Sequence, residues 1–241
     1  RGDLGVSLAR DRAVTELLKG KIGATVQLAV GSWVFAIALG IPMGVLAAVK
    51  RGTLWDYIGR GLAIVGQAAP PFVTALVAIW IFAVWLEWLP AGGRSPEFNW
   101  KEYILPCTAL GWGAAASLMR LTRSSMLEVL DSEYIRLARA KGVNWNWVIY
   151  KHALRNALIV PVTSALLTFS GWLNGALVVE IVFSWPGIGY EALYRAVNDN
   201  DFPLLLGTVF IFILIYLVFA TLADIAYTII DPRVRIGDSS E

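Results

Sequence analysis

The chain has 241 residues, of which 57% are hydrophobic and 16% charged, and its mean hydropathy is +0.63. Soluble domains carry about 25% charged residues, so this composition indicates an integral membrane protein and excludes a disulfide scaffold or a disordered chain. The balance of 20 Lys and Arg against 18 Asp and Glu gives a net charge of +2, too small to indicate a nucleic-acid partner. The single cysteine, Cys107, excludes an internal disulfide and a cysteine-rich metal site.

Five long apolar segments follow a polar start. Residues 1–21 are mixed in charge and lack an apolar core and a small-residue cleavage site, so they are not a signal peptide. The apolar segments cover about residues 22–49, 58–89, 103–121, 153–182 and 202–230. Each is long enough to cross a bilayer as a tilted helix, whereas the short alternating strands of a β-barrel would look different. The sequence therefore predicts an all-α integral membrane protein with five spans in this chain.

Basic residues predict the orientation of these spans. Lys and Arg are concentrated in residues 50–57, in residues 120–155 and in the C-terminal tail, and loops rich in them face the cytoplasm. Five spans with a cytoplasmic C-terminus put residue 1 outside, so we expect a sixth helix upstream of Arg1. The predicted organisation is an external segment at 1–21, a transmembrane domain at 22–230 with a cytoplasmic loop at 130–155, and a cytoplasmic tail at 231–241.

The cytoplasmic loop at 130–155 has the most specific pattern. Asp131 or Ser132 can cap a short helix, and Gly142 is suited to end it with a positive φ. Asn144 can then cap a second helix that runs toward the fourth span. A basic loop resting on anionic lipid headgroups would explain the charge, but not the small residues, the glycine break or the paired caps.

Two stretches of this loop carry a family resemblance, Glu133-Tyr-Ile-Arg-x-Ala-Arg-Ala-Lys-Gly142 and His152-Ala-Leu-Arg-Asn-Ala-Leu158 with Pro161. They resemble the cytoplasmic coupling loop of binding-protein-dependent ABC importers, in the form of the B-type permease subunit of dipeptide, oligopeptide and nickel importers. Four further stretches resemble the same subunit: Gly2-Asp-Leu-Gly-Val-Ser7, Gly40-Ile-Pro-x-Gly-Val-Leu-Ala-Ala48, Val179-Glu-x-Val-Phe-x-Trp-Pro-Gly-Ile-Gly189 and Asp231-Pro-Arg-Val-Arg235. The resemblance therefore covers essentially the whole chain.

This resemblance implies a type I ABC importer transmembrane domain, commonly of six spans, in a bacterial or archaeal cytoplasmic membrane. The chain would be the permease subunit that forms half of the pathway for di- or oligopeptides delivered by an external binding protein. The implied partners are a second homologous permease (a heterodimer), two ATPase subunits, the binding protein and membrane lipid, with no nucleic acid. The chain would be no enzyme and hold no cofactor, because ATP and Mg²⁺ belong to the ATPases. A nickel chelate, glutathione or another small solute stays open as the cargo.

Three groups of candidate site residues follow. The resemblance assigns contact with an ATPase subunit to residues of the coupling loop: Glu133, Arg136, Ala138, Arg139, Ala140, Lys141, Gly142 and His152. An external gate or a contact for the binding protein is expected after the fourth span: Glu180, Trp185, Pro186, Gly187 and Gly189. Polar groups inside spans are costly and often line pathways, which favours a pathway formed by Gln67, Ser117, Thr168, Trp172 and Asn174. The hydroxyls among them can instead bond back to their own helices.

Other classes of membrane protein fit less well. An intramembrane enzyme needs a buried nucleophile–base pair or a metal motif, but His152, the sole histidine, lies outside the spans. Direct metal coordination is therefore not expected. The stretch Gly61–Gln67 lacks the Lys-Ser/Thr of a phosphate loop and lies in a span, so ATP must be hydrolysed elsewhere. A stand-alone secondary transporter or channel is the different-class alternative, although neither charged intramembrane residues nor inverted repeats are evident.

Overall fold

The computed structural model describes residues 3–230, with the side chains of residues 168, 170–175 and 226–230 outside the description. The regular elements of this range are helices, and an isolated antiparallel bridge pairs Val6 with Ala13. The predicted all-α fold class is confirmed. The predicted cytoplasmic tail at 231–241, with its Asp231–Arg235 motif, lies outside the described residues.

Helices follow one another along the chain with short connections. The first half forms α1 (Val14–Val49), α2 (Leu54–Ala68), α3 (Pro71–Ala78, continued by a π-helical stretch Ile79–Trp85), α4 (Trp100–Leu130) and α5 (Glu133–Ala140). The second half forms α6 (Trp145–Trp147), a π-helical stretch (Val148–Ala153), α7 (Leu154–Ala157), α8 (Ile159–Val182), a π-helical stretch (Gly189–Tyr194), α9 (Arg195–Asn198) and α10 (Phe202–Ile230).

The long helices correspond to the predicted spans. Among the described residues, α1, α4 and residues Phe202–Ile225 of α10 are long and apolar enough to cross a membrane, and α2 with α3 adds a fourth candidate if the broken pair counts as one span. The fourth predicted span corresponds to α8, several of whose central side chains are outside the description. Helix α1 begins eight residues earlier than predicted, because buried Val14 and Leu18 extend it into the segment expected to be external.

The second predicted span is interrupted at a proline pair. Helix α2 ends at Ala68, and α3 begins at Pro71. Proline has no backbone N–H, and it is tolerated at the first helical position because an N–H there would have no partner within the helix. The carbonyl of Pro70 accepts from the N–H of Val73 at 3.0 Å. The second predicted span is therefore broken at Pro70 and Pro71, and the cause is their missing backbone donors.

The chain divides into two compact units. The first unit comprises Arg1–Phe35, Ala69–Trp112 and Phe169–Ala220. Its core contains two clusters of buried side chains, one around Leu28, Leu105, Val179, Phe183 and Trp185, the other around Val14, Leu18, Ile188, Ala192 and Leu204.

The second unit comprises Ala36–Ala68, Gly113–Thr168 and Thr221–Glu241. Its main cluster gathers Ala48, Met126, Ile135, Val148, Ile149, Ala153 and Ala157. Within this unit α1 and α4 approach closely at two glycines. A Cβ at Gly40 would lie 2.6 Å from the carbonyl oxygen of Ala115, and one at Gly44 would lie 2.6 Å from that of Met119. The Gly-rich stretch of α1 therefore allows close helix packing, as its small residues predict.

Candidate functional site

Helix α5, in the second unit, begins where the coupling-loop pattern predicts but with a different cap. Ser132 precedes it in an extended conformation, and its hydroxyl donates to the carbonyl of Val129 at 2.5 Å. The backbone carbonyl of Ser132 accepts from the N–H of Arg136 at 3.1 Å, which starts the helix. The start of α5 at Glu133 is therefore confirmed, whereas the expected side-chain cap from Ser132 is not formed.

The end of α5 is set by a left-handed glycine. Gly142 has a φ of +76°, a conformation that strains residues with a Cβ. Its N–H donates to the carbonyl of Arg139 at 3.0 Å, and the next N–H, from Val143, donates to Ala138 at 3.3 Å. A Cβ at Gly142 would meet nothing within 4 Å, so this position requires glycine for its backbone conformation and not for space.

A single side chain of α5 is fully buried. Ile135 packs against Met126, Val148 and Ile149 in the main cluster of the second unit, and Ala138 is half-buried against the same cluster. Ala138 therefore contributes to packing within the unit. Because only one of the eight residues of α5 is fully buried, most of the surface of this helix is available to a partner.

The exposed residues of α5 and its C-terminal turn are Glu133, Tyr134, Arg136, Leu137, Arg139, Ala140, Lys141 and Gly142. Arg136 donates to Glu133 at 2.7 Å in an exposed pair one turn apart. Leu137 is 57% exposed and Tyr134 is 44% exposed. This face therefore combines basic groups with unpacked apolar area, as protein-binding surfaces do.

The second arm of the loop holds α5 in position. The side chain of Asn144 accepts from the N–H of Asn146 at 2.9 Å, which confirms the predicted cap. Asn156 donates to the Tyr134 hydroxyl at 3.0 Å and so joins α7 to α5. His152 is half-buried between them, and its backbone carbonyl accepts a long hydrogen bond from Asn156 at 3.5 Å. Its position agrees with a structural role for the loop more than with direct contact by the imidazole.

Aromatic side chains lie over basic groups at the end of α5 and in the π-helical stretch Val148–Ala153. The Arg139 guanidinium lies 5.0 Å from the centre of the Trp145 ring, and the Lys151 ammonium lies 5.1 Å from that of Trp147. Trp145 and Trp147 are both exposed. These tryptophans extend the exposed surface of α5, and the sequence prediction did not include them.

The candidate pathway residues are only partly placed. Gln67 lines a cavity of about 590 Å³ in the second unit, together with Arg60, Arg120 and Arg123. Ser117 on α4 is exposed but is not among the residues that line this cavity. The side chains of three others lie outside the described part of the chain: Thr168, Trp172 and Asn174. The pathway formed by these five residues therefore stays a prediction.

The predicted gate residues lie in a buried turn of the first unit. Glu180, Trp185, Gly187 and Gly189 are buried, and Pro186 is half-buried. The turn reverses the chain after α8 through Ser184, whose φ is +49°. A gate and a contact for the binding protein both stay predictions for this turn.

The carboxylate of Glu180 organises this turn. It accepts from the Thr25 hydroxyl at 2.6 Å and from the N–H of Tyr190 at 3.1 Å. Thr25 in turn accepts from the N–H of Ile188 at 2.8 Å. A Cβ at Gly187 would overlap the Glu180 carboxylate, and one at Gly189 would lie 2.9 Å from it, so both positions need glycine for this close approach. The role of Thr25 was not predictable from sequence, since Thr25 is 155 residues from Glu180.

The indole of Trp185 is fixed by two different contacts. Its Nε1 donates to the carbonyl of Ala24 at 2.9 Å, and its ring packs edge-on against Tyr103 with centres 4.8 Å apart. Arg94 lies over the same indole at 5.7 Å and donates to Gln27 at 2.8 Å. The turn is therefore held against α1 and α4 by polar as well as apolar contacts.

The described part of the N-terminal motif, residues 3–7, is anchored at the start of α10 through Ser7. The Ser7 hydroxyl and the backbone N–H groups of Leu8 and Ala9 donate to the carboxylate of Asp201, which also caps α10 through the N–H of Leu204. Burial by itself raises the pKa of Asp201, but these hydrogen bonds outweigh it and hold the pKa below its ordinary value. The sequence prediction placed Ser7 in the family motif but missed its partner.

An ion pair in the second unit was also missed. Asp56, at the start of α2, is buried and accepts two hydrogen bonds from Arg123 at 2.7 and 3.1 Å. Arg60 lies 3.4 Å from the same carboxylate, one turn along α2. The spacing of Asp56 and Arg60 was a visible signal, whereas Arg123 is 67 residues away. In residues 3–230 no group of three or more His, Cys, Asp or Glu side chains could hold a metal ion.

The sequence is similar to proteins of one transport family. The family model described as "Binding-protein-dependent transport system inner membrane component" matches residues 40–236. The dipeptide transport system permease protein DppB of Alkalihalophilus pseudofirmus is 39% identical over 259 residues, covering 97% of this chain and 78% of that protein. The glutathione transport system permease protein GsiC of Salmonella choleraesuis is 39% identical over 235 residues, covering 98% of this chain and 76% of that protein.

Solved structures share the fold. An inward-facing structure of the MetNI methionine ABC transporter matches with a TM-score of 0.72 and 17% identity, covering 90% of this chain and 97% of that chain. An amino acid ABC transporter crystallised with histidines matches with a TM-score of 0.68 and 14% identity, covering 88% and 94%. At these identities the likeness concerns the fold, and it confirms the predicted architecture.

Proposed function

Since the chain belongs to the binding-protein-dependent transport system inner membrane components and is a permease subunit of an ABC importer, we propose that α5 docks on a partner ATPase. The observation that carries this proposal is the exposure of α5, in which Ile135 is the one fully buried residue of eight. Closure of the ATPases would move α5, and the adjoining cluster of the second unit would pass the movement on. The exposed residues Glu133, Arg136, Arg139 and Lys141 would fix its orientation by ion pairs.

The predicted cargo is a peptide, and glutathione or another small solute is the alternative within the same architecture. The relatives named as dipeptide and glutathione permeases support this choice because each matches nearly the whole chain. One chain would supply half of the pathway, so we expect a second, homologous permease, two ATPase subunits and an external binding protein. Uptake of a labelled dipeptide, with glutathione and a nickel chelate as competitors, would separate these cargoes.

The proposed assembly assigns ATP and Mg²⁺ to the ATPase subunits, so this chain would transmit force without catalysing a reaction. We propose a multi-pass location in the cytoplasmic membrane, with α5 and the C-terminus on the cytoplasmic side. The concentration of basic residues around α5 supports this orientation. The buried turn that carries Glu180 and Trp185 would then lie on the external side and act as the gate.

Co-purification tests the docking surface. In the full-length protein expressed with its partners, Leu137→Arg puts a charge on the exposed apolar part of α5 without touching the buried cluster. We expect this variant to lose the ATPase subunits while it retains the second permease. The matched control is Leu8→Arg, because Leu8 is also a highly exposed leucine (74%) but belongs to the first unit.

The two variants together distinguish a specific loss of ATPase binding from a general loss of protein stability. If Leu137→Arg recovers the same amount of ATPase as the wild type, α5 is not the docking helix. If Leu8→Arg loses the ATPases to the same extent, the loss reflects instability and α5 has no special role. Recovery of wild-type chain without any ATPase would contradict the proposed assembly as a whole.

A further inference from the structure

A basic cavity in the second unit is separate from α5 and from the buried turn. It is lined by α2 and α4 and has a volume of about 590 Å³. Three guanidinium groups line it, from Arg60, Arg120 and Arg123. The remainder of its wall is mainly apolar and includes Ala63, Ile64, Ala68 and Met119.

The charges of this cavity are not balanced. Asp56 is the carboxylate paired with Arg123 and Arg60, and it also accepts from the N–H of Gly52 at 3.0 Å. Arg123 uses Nε and Nη2 on Asp56, which leaves its Nη1 group uncommitted by this pair. Arg120 forms neither a hydrogen bond nor a salt bridge with any part of the chain that the structure describes. Three positive charges therefore meet one negative charge, which suits an anionic ligand.

The sequence predicts that this cavity lies near the boundary of a membrane. The third predicted span ends near residue 121, so Arg120 and Arg123 are expected at the level where hydrocarbon gives way to headgroups. Trp55 and Tyr57 are exposed at the start of α2, and the Arg60 guanidinium lies 4.7 Å from the centre of the Tyr57 ring. Exposed aromatic rings of this kind are typical of the membrane–water interface.

The apolar wall begins where the basic groups end. Along α2, Arg60 is followed by Ala63, Ile64 and Ala68, which lead away from the start of the span. Ala63 is buried against Met119, whereas Ile64 is 71% exposed and presents an open apolar surface. An occupant with a negative head and an apolar tail would match both halves of the cavity.

We propose that this cavity binds an anionic phospholipid, with the headgroup phosphate at Arg120 and Arg123 and an acyl chain along the apolar wall of α2. Basic pockets between membrane helices on the cytoplasmic side bind such headgroups in other proteins. The interfacial depth distinguishes this occupant from the carboxylate of a transported peptide, which must cross the middle of the bilayer. Bound lipid would stabilise the packing of α2 against α4 beside the pair of Asp56 and Arg123.

Lipid retention tests the proposal. The full-length protein and its partners are reconstituted in nanodiscs of phosphatidylethanolamine with phosphatidylglycerol, and retained lipids are counted by native mass spectrometry after release into detergent. We expect the wild type to retain phosphatidylglycerol and Arg120→Gln to retain about fivefold less. Arg120→Gln should still fold, because Asp56 keeps both of its arginine partners. The control Lys50→Gln removes an exposed charge from the turn after α1 and should retain lipid like the wild type.

Competing occupants give different results. Equal phosphatidylglycerol retention by the wild type and Arg120→Gln would overturn the proposal. Binding of inorganic phosphate that depends on Arg120, without phosphatidylglycerol retention that depends on Arg120, would assign the cavity to a free anion, and the same result with a dipeptide would assign it to cargo. Reduced recovery of the second permease with Arg120→Gln, at unchanged lipid content, would identify a subunit interface. Each of these results contradicts a lipid site.

Discussion

The Arg123 guanidinium donates two hydrogen bonds to the Asp56 carboxylate, at 2.7 and 3.1 Å, and the side chain of Asp56 is only 2% exposed. This pair fastens the first turn of α2 to α4 within the second unit. Helix α2 is otherwise buried along a narrow stripe formed by Gly59, Ala63 and Gly66. Small residues bury little apolar area, so a polar pair with two aligned bonds has a large share in positioning this helix.

Removing the charge of Asp56 should destabilise the second unit more than removing an exposed carboxylate does. Asp56→Asn leaves the guanidinium of Arg123 without its carboxylate, and because Arg123 is 21% exposed and can be hydrated, the loss should cost about 1–3 kcal/mol. Thermal or denaturant unfolding of the purified protein measures the loss. The control is Asp131→Asn, whose pair with Arg51 at 3.7 Å is exposed and should contribute less than about 1 kcal/mol. Equal stability of the two variants would show that the buried pair does not hold α2.

A substitution at Gly142 tests the coupling role of α5, and the same substitution at Gly52 controls for backbone strain. Gly142→Val forces a β-branched residue into a φ of +76°, at a cost of at least about 1–2 kcal/mol, and should displace the end of α5. We expect ATP hydrolysis to continue while transport is lost. The control Gly52→Val is closely matched, since Gly52 has a φ of +77° and equally open surroundings in the turn between α1 and α2. Normal transport by Gly142→Val, or uncoupling by both variants, would refute the coupling role.

Thr25 should keep the buried turn of the first unit closed. Thr25→Val removes the donor to Glu180 and the acceptor for the N–H of Ile188, and each unsatisfied buried group costs about 1–3 kcal/mol. The single cysteine, Cys107, is buried in the same core cluster as Trp185, so its rate of thiol labelling reports opening of this unit.

Faster labelling of Cys107 in Thr25→Val than in the wild type is the expected outcome. Thr74→Val is the matched control, because Thr74 is half-buried and its hydroxyl donates to backbone carbonyls, including that of Pro71 in its own helix at 2.8 Å. Unchanged labelling in Thr25→Val would mean that the network around Glu180 does not restrain the turn. Acceleration by both variants would point to general loosening of the unit.

Asp201 should make the docking of the N-terminal segment sensitive to acid. Its pKa in the folded protein lies below the ordinary 3.8, so the carboxylate contributes stability at higher pH that is lost as the pH falls below 3.8 through the folded-state value. Acid should therefore increase proteolysis within residues 3–13. Asp201→Asn should be cleaved more readily at neutral pH and lose this acid dependence. Asp199→Asn, an exposed neighbour, should behave like the wild type, and retained acid dependence in Asp201→Asn would exclude Asp201 as its source.

The sequence predicted the helix ends that are set by residues close to them in the chain. Helix α10 begins and ends at the predicted residues Phe202 and Ile230, because a long apolar run with a single charged residue, Asp224, favours one continuous helix. The ends of α5 follow from Glu133 and Gly142 for the same local reason. Helix α4 instead continues to Leu130, nine residues past the predicted end of its span, because Met126 and its neighbours pack in the core of the second unit.

The sequence by itself determined the fold class, the family and the place of the short helix α5, since composition, apolar run length and short motifs are read within a few residues. Only the tertiary structure decided which distant polar groups meet. It paired Asp56 with Arg123, Thr25 with Glu180 and Ser7 with Asp201, across separations of 67, 155 and 194 residues. A buried carboxylate needs donors, but any of many donors would satisfy it, so the choice rests on how the helices pack.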